Sequence, residues 1–522
     1  MPCQRSEGDL CQLMQNFKRL YILDLHDTDV KKVPRSICKL KYLTYLDLSG
    51  NWALKRLPNS ITRLHNLQTL NLYGCHSLEE LPRDIKKLVS LRNLDIGDCW
   101  ELSYVPRGLG HLSSLPRLTH FILPREKALA KNYCTLGELN GLNNIWGSLC
   151  IENLGSAIDV VVESRVANLI GKHSLESIEL RWSYLDTDDA ITGDRHEALL
   201  DGLQPHSNLQ KLKILNYIGE SFPKWMMDNL VFSLPNLADL CLEHCRRCKH
   251  LPPLGQLRHL KTLKINGLTQ LEYIKSDHSF TLTASFPSLL TLHIEYCEKL
   301  NALPQTPHLE DLVLTESNLV LINHMLGLNK LKRLGIWNME FLECLPEECL
   351  KSLTSLESLH ISGCTRLTSL SLGMQHLSSL LHLSIGDCQK LDLSKDESGN
   401  FLDLQGLQSL QFVVIFNLPK LASLPQWLLR LSNLERLRIS DCVNLKAMPH
   451  QIEALQSLQW LEIFDCPSLT SLPEGMRNLT SLTHLKIFRC PELEERCKRG
   501  VGEDWYKIAH IPNLTHELDD YS

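Results

Sequence analysis

The chain has 522 residues, with 54 basic against 60 acidic side chains, for a formal net charge of −6. That balance leaves no bulk positive field for nucleic acid or an anionic membrane, and no apolar run approaches the ~20 residues needed to span a bilayer. Leucine supplies about a fifth of the chain, 108 residues against 12 Phe and 12 Tyr, which points to one small unit used many times.

From the N-terminus, residues 1–16 read as a cap or the remnant of a linker. They hold no apolar core of signal-peptide type, and Asp9 is the predicted N-cap of a helix that places Leu10, Leu13, Met14 and Phe17 on one face. From 17 to 490 the pattern L-x-x-L-x-L/I recurs. It is clearest at Leu20, Leu43, Leu67 and Leu91, and again at Leu410, Leu434, Leu458 and Leu482. Two copies are loose, one beginning at Leu118 (with Phe121 and Leu123) and one at Trp146 (with Leu149 and Ile151). The 19 copies have a mean interval of about 25.7 residues, inside the range of about 20–29 for leucine-rich repeats.

The alternating L-x-L predicts a short strand with one face buried, lying roughly 4.8 Å from the next in a parallel sheet. The fold expected is α/β, a leucine-rich-repeat solenoid (horseshoe) with a curved parallel β-sheet on its concave face and about 19 repeats. No single repeat can bury its own leucines, so stability has to come from stacking. The eighth residue after the first Leu is Cys75, Cys99, Cys245, Cys297, Cys364, Cys388, Cys442, Cys466 or Cys490, with Asn51 in an early repeat. These nine cysteines are expected at the inward Asn/Cys position, buried, unpaired and inert.

Two insertions interrupt the middle. Residues 156–172 read as helical, and 185–204 as an acidic loop leading into a short helix near His196–Leu203. Residues 491–522 form a C-terminal cap and tail, in which Trp505, Tyr506, Ile508 and Ile511 supply apolar cover. His244, Cys245, Cys248 and His250, with Cys241 nearby, crowd together without the second pair a zinc site wants. No nucleophile elbow and no isolated carboxylate pair is present, so no catalytic or metal-binding residue is assigned.

Several segments carry more than the generic repeat: GSLCIENL at 147–154, ESRVANL at 163–169, LQPHSNLQKLKI at 203–214, FPKWM at 222–226, CRRC at 245–248, LPPLGQL at 251–257 and CPELEERCKRGVGEDWYKIAHIP at 490–512. On these the chain resembles the leucine-rich-repeat region of plant intracellular NLR disease-resistance proteins of the coiled-coil NB-ARC type. The resemblance implies a non-catalytic recognition module in the cytoplasm or nucleus. It would sense a pathogen effector or a guarded host protein and restrain activation through the NB-ARC domain of a fuller receptor. ADP or ATP would belong to that domain. This chain holds no G-x-x-x-x-G-K-[ST] loop, so no cofactor is assigned to it, and it reads as a truncated product or part of a longer protein. A free-standing repeat scaffold is the alternative. A ubiquitin-ligase adaptor fits less well, for want of a helical box ahead of the repeats.

The outward strand positions nominate two patches. At one end Asp24, Asp47 and Asp95, with Asn71 between them, form an acidic row suited to an intramolecular contact with the NB-ARC domain. At the other end are Trp337, Phe412, Phe416, Arg436, Arg438, Trp460, Phe464, His484, Lys486 and Phe488. Exposed aromatic and arginine side chains together are the composition of protein-binding hot spots. Isothermal titration of the purified chain with ADP and with ATP is expected to give no saturable heat at micromolar concentration.

Overall fold

Strands form where the leucine motif alternates. The computed structural model describes residues 7–125, 133–156, 160–183, 193–274, 286–394, 404 and 406–516. They fall into two compact units, Met1–Leu271 and Leu282–Ser522, the second also taking Glu272–Ile274. In the first unit β1 (Ile22–Asp24), β2 (Tyr45–Asp47), β3 (Thr69–Asn71), β4 (Asn93–Asp95) and β5 (Arg117–Leu118) form a parallel five-stranded sheet in chain order. β6 (His120–Ile122), β7 (Gly147–Glu152), β8 (Leu175–Arg181), β9 (Lys211–Leu215), β10 (Asp239–Glu243) and β11 (Thr262–Asn266) form a second parallel run. The second unit holds β12 (Thr291–Glu295), β13 (Asp311–Thr315), β14 (Arg333–Trp337), β15 (Ser358–Ser362), β16 (His382–Gly386), β17 (Phe412–Phe416), β18 (Arg436–Ser440), β19 (Trp460–Phe464), β20 (His484–Phe488) and β21 (Asn513–His516), each parallel to the next. Each unit is therefore a leucine-rich-repeat solenoid.

Register follows from the leucines. Leu437 lies opposite Leu461 and Ile439 opposite Ile463. In β19, Leu461 and Ile463 are buried while Trp460, Glu462 and Phe464 alternate on the other, half-buried face. A shift of one residue would invert that alternation, so burial of the leucine face locks the pairing.

The break between β5 and β6 falls inside one motif copy. Leu118 pairs with Leu94 of β4, whereas Phe121 pairs with Ile151 of β7. Leu118 thus fills the second leucine position of its repeat, and buried Leu115 takes the first, not Leu118 as the spacing suggested. The cause is Thr119, whose hydroxyl donates to Asp95 and accepts from the Ile96 N–H, replacing regular strand pairing there.

The N-terminal helix, α1 (Glu7–Asn16), begins two residues before Asp9, which lies within its first turn rather than capping it. Leu10 and Met14 are buried, and the helix packs on the 3-10 turn Arg35–Lys39. Phe17 is 58% exposed, because the helix has ended and its carbonyl accepts from Leu20 N–H to turn the chain into β1. The two insertions supply α2 (Val160–Val166) and α3 (Gly193–Gly202), which pack together. A Cβ at Gly202 would stand 2.0 Å from Ser164 Oγ, so the helices approach this closely only over glycine. Ala167 and Leu169 are buried, while Val161 is exposed. Of the acidic loop expected from residue 185, positions 185–192 lie outside the described residues.

The turn after each strand explains the cysteines. Asn51 is fully buried, and its amide donates to the Leu25 and Leu48 carbonyls at 2.8 Å while its oxygen accepts from Val30 N–H. Cys75 donates to that same Leu48 carbonyl at 3.1 Å, and Cys99 to Leu72 at 3.2 Å. In the second unit Cys388, Cys442, Cys466 and Cys490 donate to the carbonyl two residues back. All nine cysteines of the inward position are buried, and none is joined in a disulfide. The residue just before is left-handed, at Gly50 and Gly74 (φ +70° and +69°) and at Asp387, Asp441 and Asp465. Glycine and aspartate bear that conformation at least cost.

The tail does more than cap. β21 adds a further strand beside β20, with Leu514 opposite Leu485, a continuation of the sheet that the end of the leucine pattern had hidden. Buried Asp504 accepts from Leu472 N–H at 2.9 Å and pairs with Arg496 and Lys507, whose Nζ donates to Leu472 O at 2.7 Å. Ile508 and Ile511 are buried, Trp505 is half-buried, and Tyr506 is exposed. Among the described residues, no helix is long and apolar enough to cross a membrane.

The cysteine positions make stability pH-dependent. Burial pushes the Cys75, Cys99 and Cys245 thiols up to about 12, against about 8.5 in an unfolded chain. The folded state keeps protons that the unfolded chain loses, so this stabilisation is complete below about pH 8.5 and is lost as pH rises towards the folded value, by about 1.4 kcal/mol per unit per thiol. Lys172 acts oppositely. Desolvation lowers its pKa to about 8, with Nζ donating to the Leu139 and Leu142 carbonyls, and stability gains from it above that pH. Several thiols outweigh one lysine. The melting temperature followed by circular dichroism is expected to fall between about pH 9 and 11, and less steeply after Cys75→Ser with Cys99→Ser.

Candidate functional site

The outward positions of β17–β20 form rows fixed by the strand register. In the first, Phe412, Arg436, Trp460 and His484 lie opposite one another. The Arg436 guanidinium lies 4.8 Å from the Phe412 ring centre and 4.7 Å from that of Trp460. Trp460 and His484 stack 3.5 Å apart and 3° from parallel. His484 is held by Thr483 Oγ1 at 2.9 Å and by Asn513 of β21 at 3.1 Å. The result is a continuous alternation of ring, cation, ring and imidazole, which orders an arginine that would otherwise sample many rotamers.

In the second row are Phe416, Ser440, Phe464 and Phe488. Phe464 and Phe488 tilt against each other with ring centres 6.2 Å apart. Phe416 folds over Gly386, where a Cβ would stand 2.3 Å from the ring. Between the rows Arg438 lies 4.9 Å over Phe464, and Lys486 pairs with Glu462 at 3.3 Å. Arg436 and Arg438 are exposed, and neither has a carboxylate partner among the described residues.

The rings of these two rows are half-buried rather than standing free as the residue types suggested. Neighbouring strands lie closer than an aromatic ring is wide, so each ring lies against its neighbour. Trp337 on β14 is in register with the second row, with Ser362 and Gly386 between it and Phe416; it is 36% exposed and stacks on His360 at 3.8 Å. His360 in turn lies 6.3 Å from Phe416, and His382 lies 5.2 Å from Phe412. Both histidines are outward residues of their strands, and only their neighbours mark them as part of the patch. Burial lowers the pKa of His360.

The acidic row is engaged differently at each position. Asp24, Asp47, Asn71 and Asp95 each accept from the backbone N–H two residues on, at 2.9–3.2 Å, and so close the turn that follows the strand. Asp47 is 7% exposed and also accepts from Ser49 Oγ, Tyr45 Oη and Asn71 Nδ2. Burial works against its charge, but these donors outweigh it and hold the carboxyl below the usual carboxylate range. Asp24 bonds His26 and stays half open.

The cysteine-rich segment does not converge. Cys245 donates to Ile214 O and Cys248 to Gly219 O, while Cys241 lies 3.1 Å from a Glu243 carboxylate oxygen. Among the described residues the donors that do converge are His120, Cys150 and Glu152, within 4.8 Å of one another. Arg181 approaches Glu152 at 3.9 Å and already places positive charge there.

Comparison with known proteins finds leucine-rich-repeat families and plant disease-resistance proteins. The family of R13L1/DRL21 leucine-rich repeats matches residues 136–268, and the leucine-rich-repeat family matches residues 18–76. Disease resistance protein RGA2 of Solanum bulbocastanum is 32% identical over 268 residues, covering 49% of this chain and 26% of that protein. Putative disease resistance protein RGA1 of the same plant is 38% identical over 376 residues, covering 67% of this chain and 36% of the relative. Putative disease resistance RPP13-like protein 1 of Arabidopsis thaliana is 30% identical over 306 residues, covering 49% and 28%. The chain thus spans about a quarter to a third of the length of these relatives.

The differing environments of the acidic row generate a stability prediction. Asp47→Ala strips four donors of a buried acceptor and is expected to cost about 2–3 kcal/mol, whereas Asp24→Ala is expected to cost under about 0.5 kcal/mol. Urea unfolding followed by circular dichroism checks both.

Proposed function

We propose that this chain, which is a leucine-rich-repeat region of the plant NLR disease-resistance kind, recognises a protein through the outward face of β17–β20. The observation that carries this reading is the row Phe412, Arg436, Trp460 and His484, interleaved at 3.5–4.8 Å. Its side chains are ordered before any partner arrives, so binding forfeits little rotamer entropy. Arg436 and Arg438 carry charge unmatched within the face and select carboxylates on the partner, which favours specificity and encounter rate over bulk affinity.

The partner in this reading is a pathogen effector or a guarded host protein. The repeats restrain the NB-ARC domain of a fuller receptor, where ADP or ATP is held, until the partner binds. Such a switch works only if the partner binds the released state more tightly than the restrained one. Asp24 and Asp95 retain partly exposed carboxylates for a contact with that domain, whereas Asp47 is committed to its own turn. The module itself performs no chemistry.

Trp460→Ala and Phe464→Ala, placed in the complete receptor, test the face. Each is expected to reduce partner affinity by about 2 kcal/mol or more, while Lys446→Ala and Gln456→Ala, outside the strands, change it by under about 0.5 kcal/mol. The measurement is the receptor's response to the pathogen isolates it recognises, with protein level checked by immunoblot. Equal loss from both pairs, or none at Trp460 and Phe464, moves recognition off this face.

A further inference from the structure

The first unit carries a different ordered patch. Trp52, His76 and Trp100 each directly follow the inward residue of their repeat (Asn51, Cys75 and Cys99), so a constant interval of 24 sets them on neighbouring repeats. His76 and Trp100 stack with ring centres 4.0 Å apart and planes 12° from parallel. Trp52 and Trp100 are 60% and 67% exposed, and Tyr73 beside them is 50% exposed. In the second unit the same position holds Thr365, Gln389, Val443 and Pro467, so the repeat does not require these rings.

Trp52, Tyr73 and His76 line an open cavity of about 540 Å³ together with Asp27 and Asp98. Both carboxylates are on exposed residues, and neither pairs with a lysine or arginine among the described residues, although His26 interacts electrostatically with Asp27. The Asp98 carboxylate lies near enough to the Tyr73 hydroxyl to raise its pKa, and the Asp98 backbone carbonyl accepts from His76 Nδ1 at 2.9 Å, which fixes the orientation of that ring. The floor is tailored as well. Gly50 has φ +70°, and a Cβ there would stand 1.8 Å from Asp27 Oδ1, so only glycine lets that carboxylate lie across the turn.

Aromatic faces are electron-rich and attract cations, and two carboxylates without a lysine or arginine partner add to the attraction. A planar guanidinium stacks on a ring and bonds a carboxylate in one pose, which an ammonium cannot do as well. We propose that this cavity is a docking site for an arginine-bearing segment of a protein, its guanidinium lying against the Trp52 and His76 rings and pairing with Asp27 or Asp98. The cavity has room for the arginine and a flanking residue. The site belongs to the first unit alone and does not depend on recognition by β17–β20.

The test uses the whole chain and a fluorescein-labelled peptide, Gly-Arg-Gly-Arg-Gly-Arg-Gly, followed by anisotropy. A matched peptide with citrulline in place of arginine keeps the shape and removes the charge. Saturable binding of the arginine peptide is expected, with no binding of the citrulline peptide. Asp27→Asn with Asp98→Asn, and separately Trp52→Ala, should each weaken binding by about fivefold or more, while Trp460→Ala leaves it unchanged. Circular dichroism checks folding, and the wild-type chain with 15N-labelled tryptophan supplies a readout free of mutation: the Trp52 and Trp100 indole signals should shift on titration. No saturable binding at millimolar peptide, equal binding of the citrulline peptide, unaltered binding by the Asn variant, or unshifted indole signals would each overturn the proposal.

Discussion

No repeat of this chain can hide its own leucines. A strand such as Leu461 and Ile463 buries one face only because Leu437 and Ile439 lie on one side and Leu485 and Ile487 on the other. Cover must therefore be continuous within each unit, and ends must be closed. Leu10 and Met14 of α1 supply that cover at the start of the first unit. β21 with the Asp504, Arg496 and Lys507 cluster supplies it at the end of the second. The same demand explains the break at Thr119. Where a hydroxyl takes over the strand's hydrogen bonds, the sheet stops and a new run begins one apolar residue later.

Stacking alone would leave carbonyls orphaned at each inner turn. Asn51 answers three backbone groups at once, and the cysteines that replace it answer one carbonyl with a weaker donor. The exchange is tolerable because a buried thiol is largely apolar and adds packing where an amide would need further partners. It also makes the fold dependent on thiols staying protonated, which links a structural choice to alkaline sensitivity.

Because the leucine face carries the fold, the opposite face is free to vary, and the two units use that freedom differently. In the first unit carboxylates close turns, as at Asp47, or stand beside exposed rings, as at Asp27 and Asp98. Along β7–β10 the charges match one another, with Arg181 against Glu179 and Glu152, and Lys213 against Glu243. In the second unit Arg436 lies between the Phe412 and Trp460 rings and Arg438 over Phe464, with no carboxylate partner for either among the described residues. A self-matched surface has little electrostatic reason to bind, whereas an unmatched and ordered one does.

Much of this is legible in the sequence, because the fold has a short period. The leucine spacing determines the strands, their parallel order and the buried face, and the ninth residue of the motif determines which cysteines lie inside. The outward row positions follow from the same arithmetic, so Phe412, Arg436, Trp460 and His484 could be aligned before any coordinate. What the period cannot specify is where side chains lie between strands. That Arg436 sits between two rings, that Asp47 is spent on its own turn, and that His360 links Trp337 to Phe416 depend on rotamers chosen by neighbours far apart in sequence. The strand at Asn513–His516 was hidden for the same reason. Its four residues carry too little pattern alone and are strand only because β20 offers them an unpaired edge.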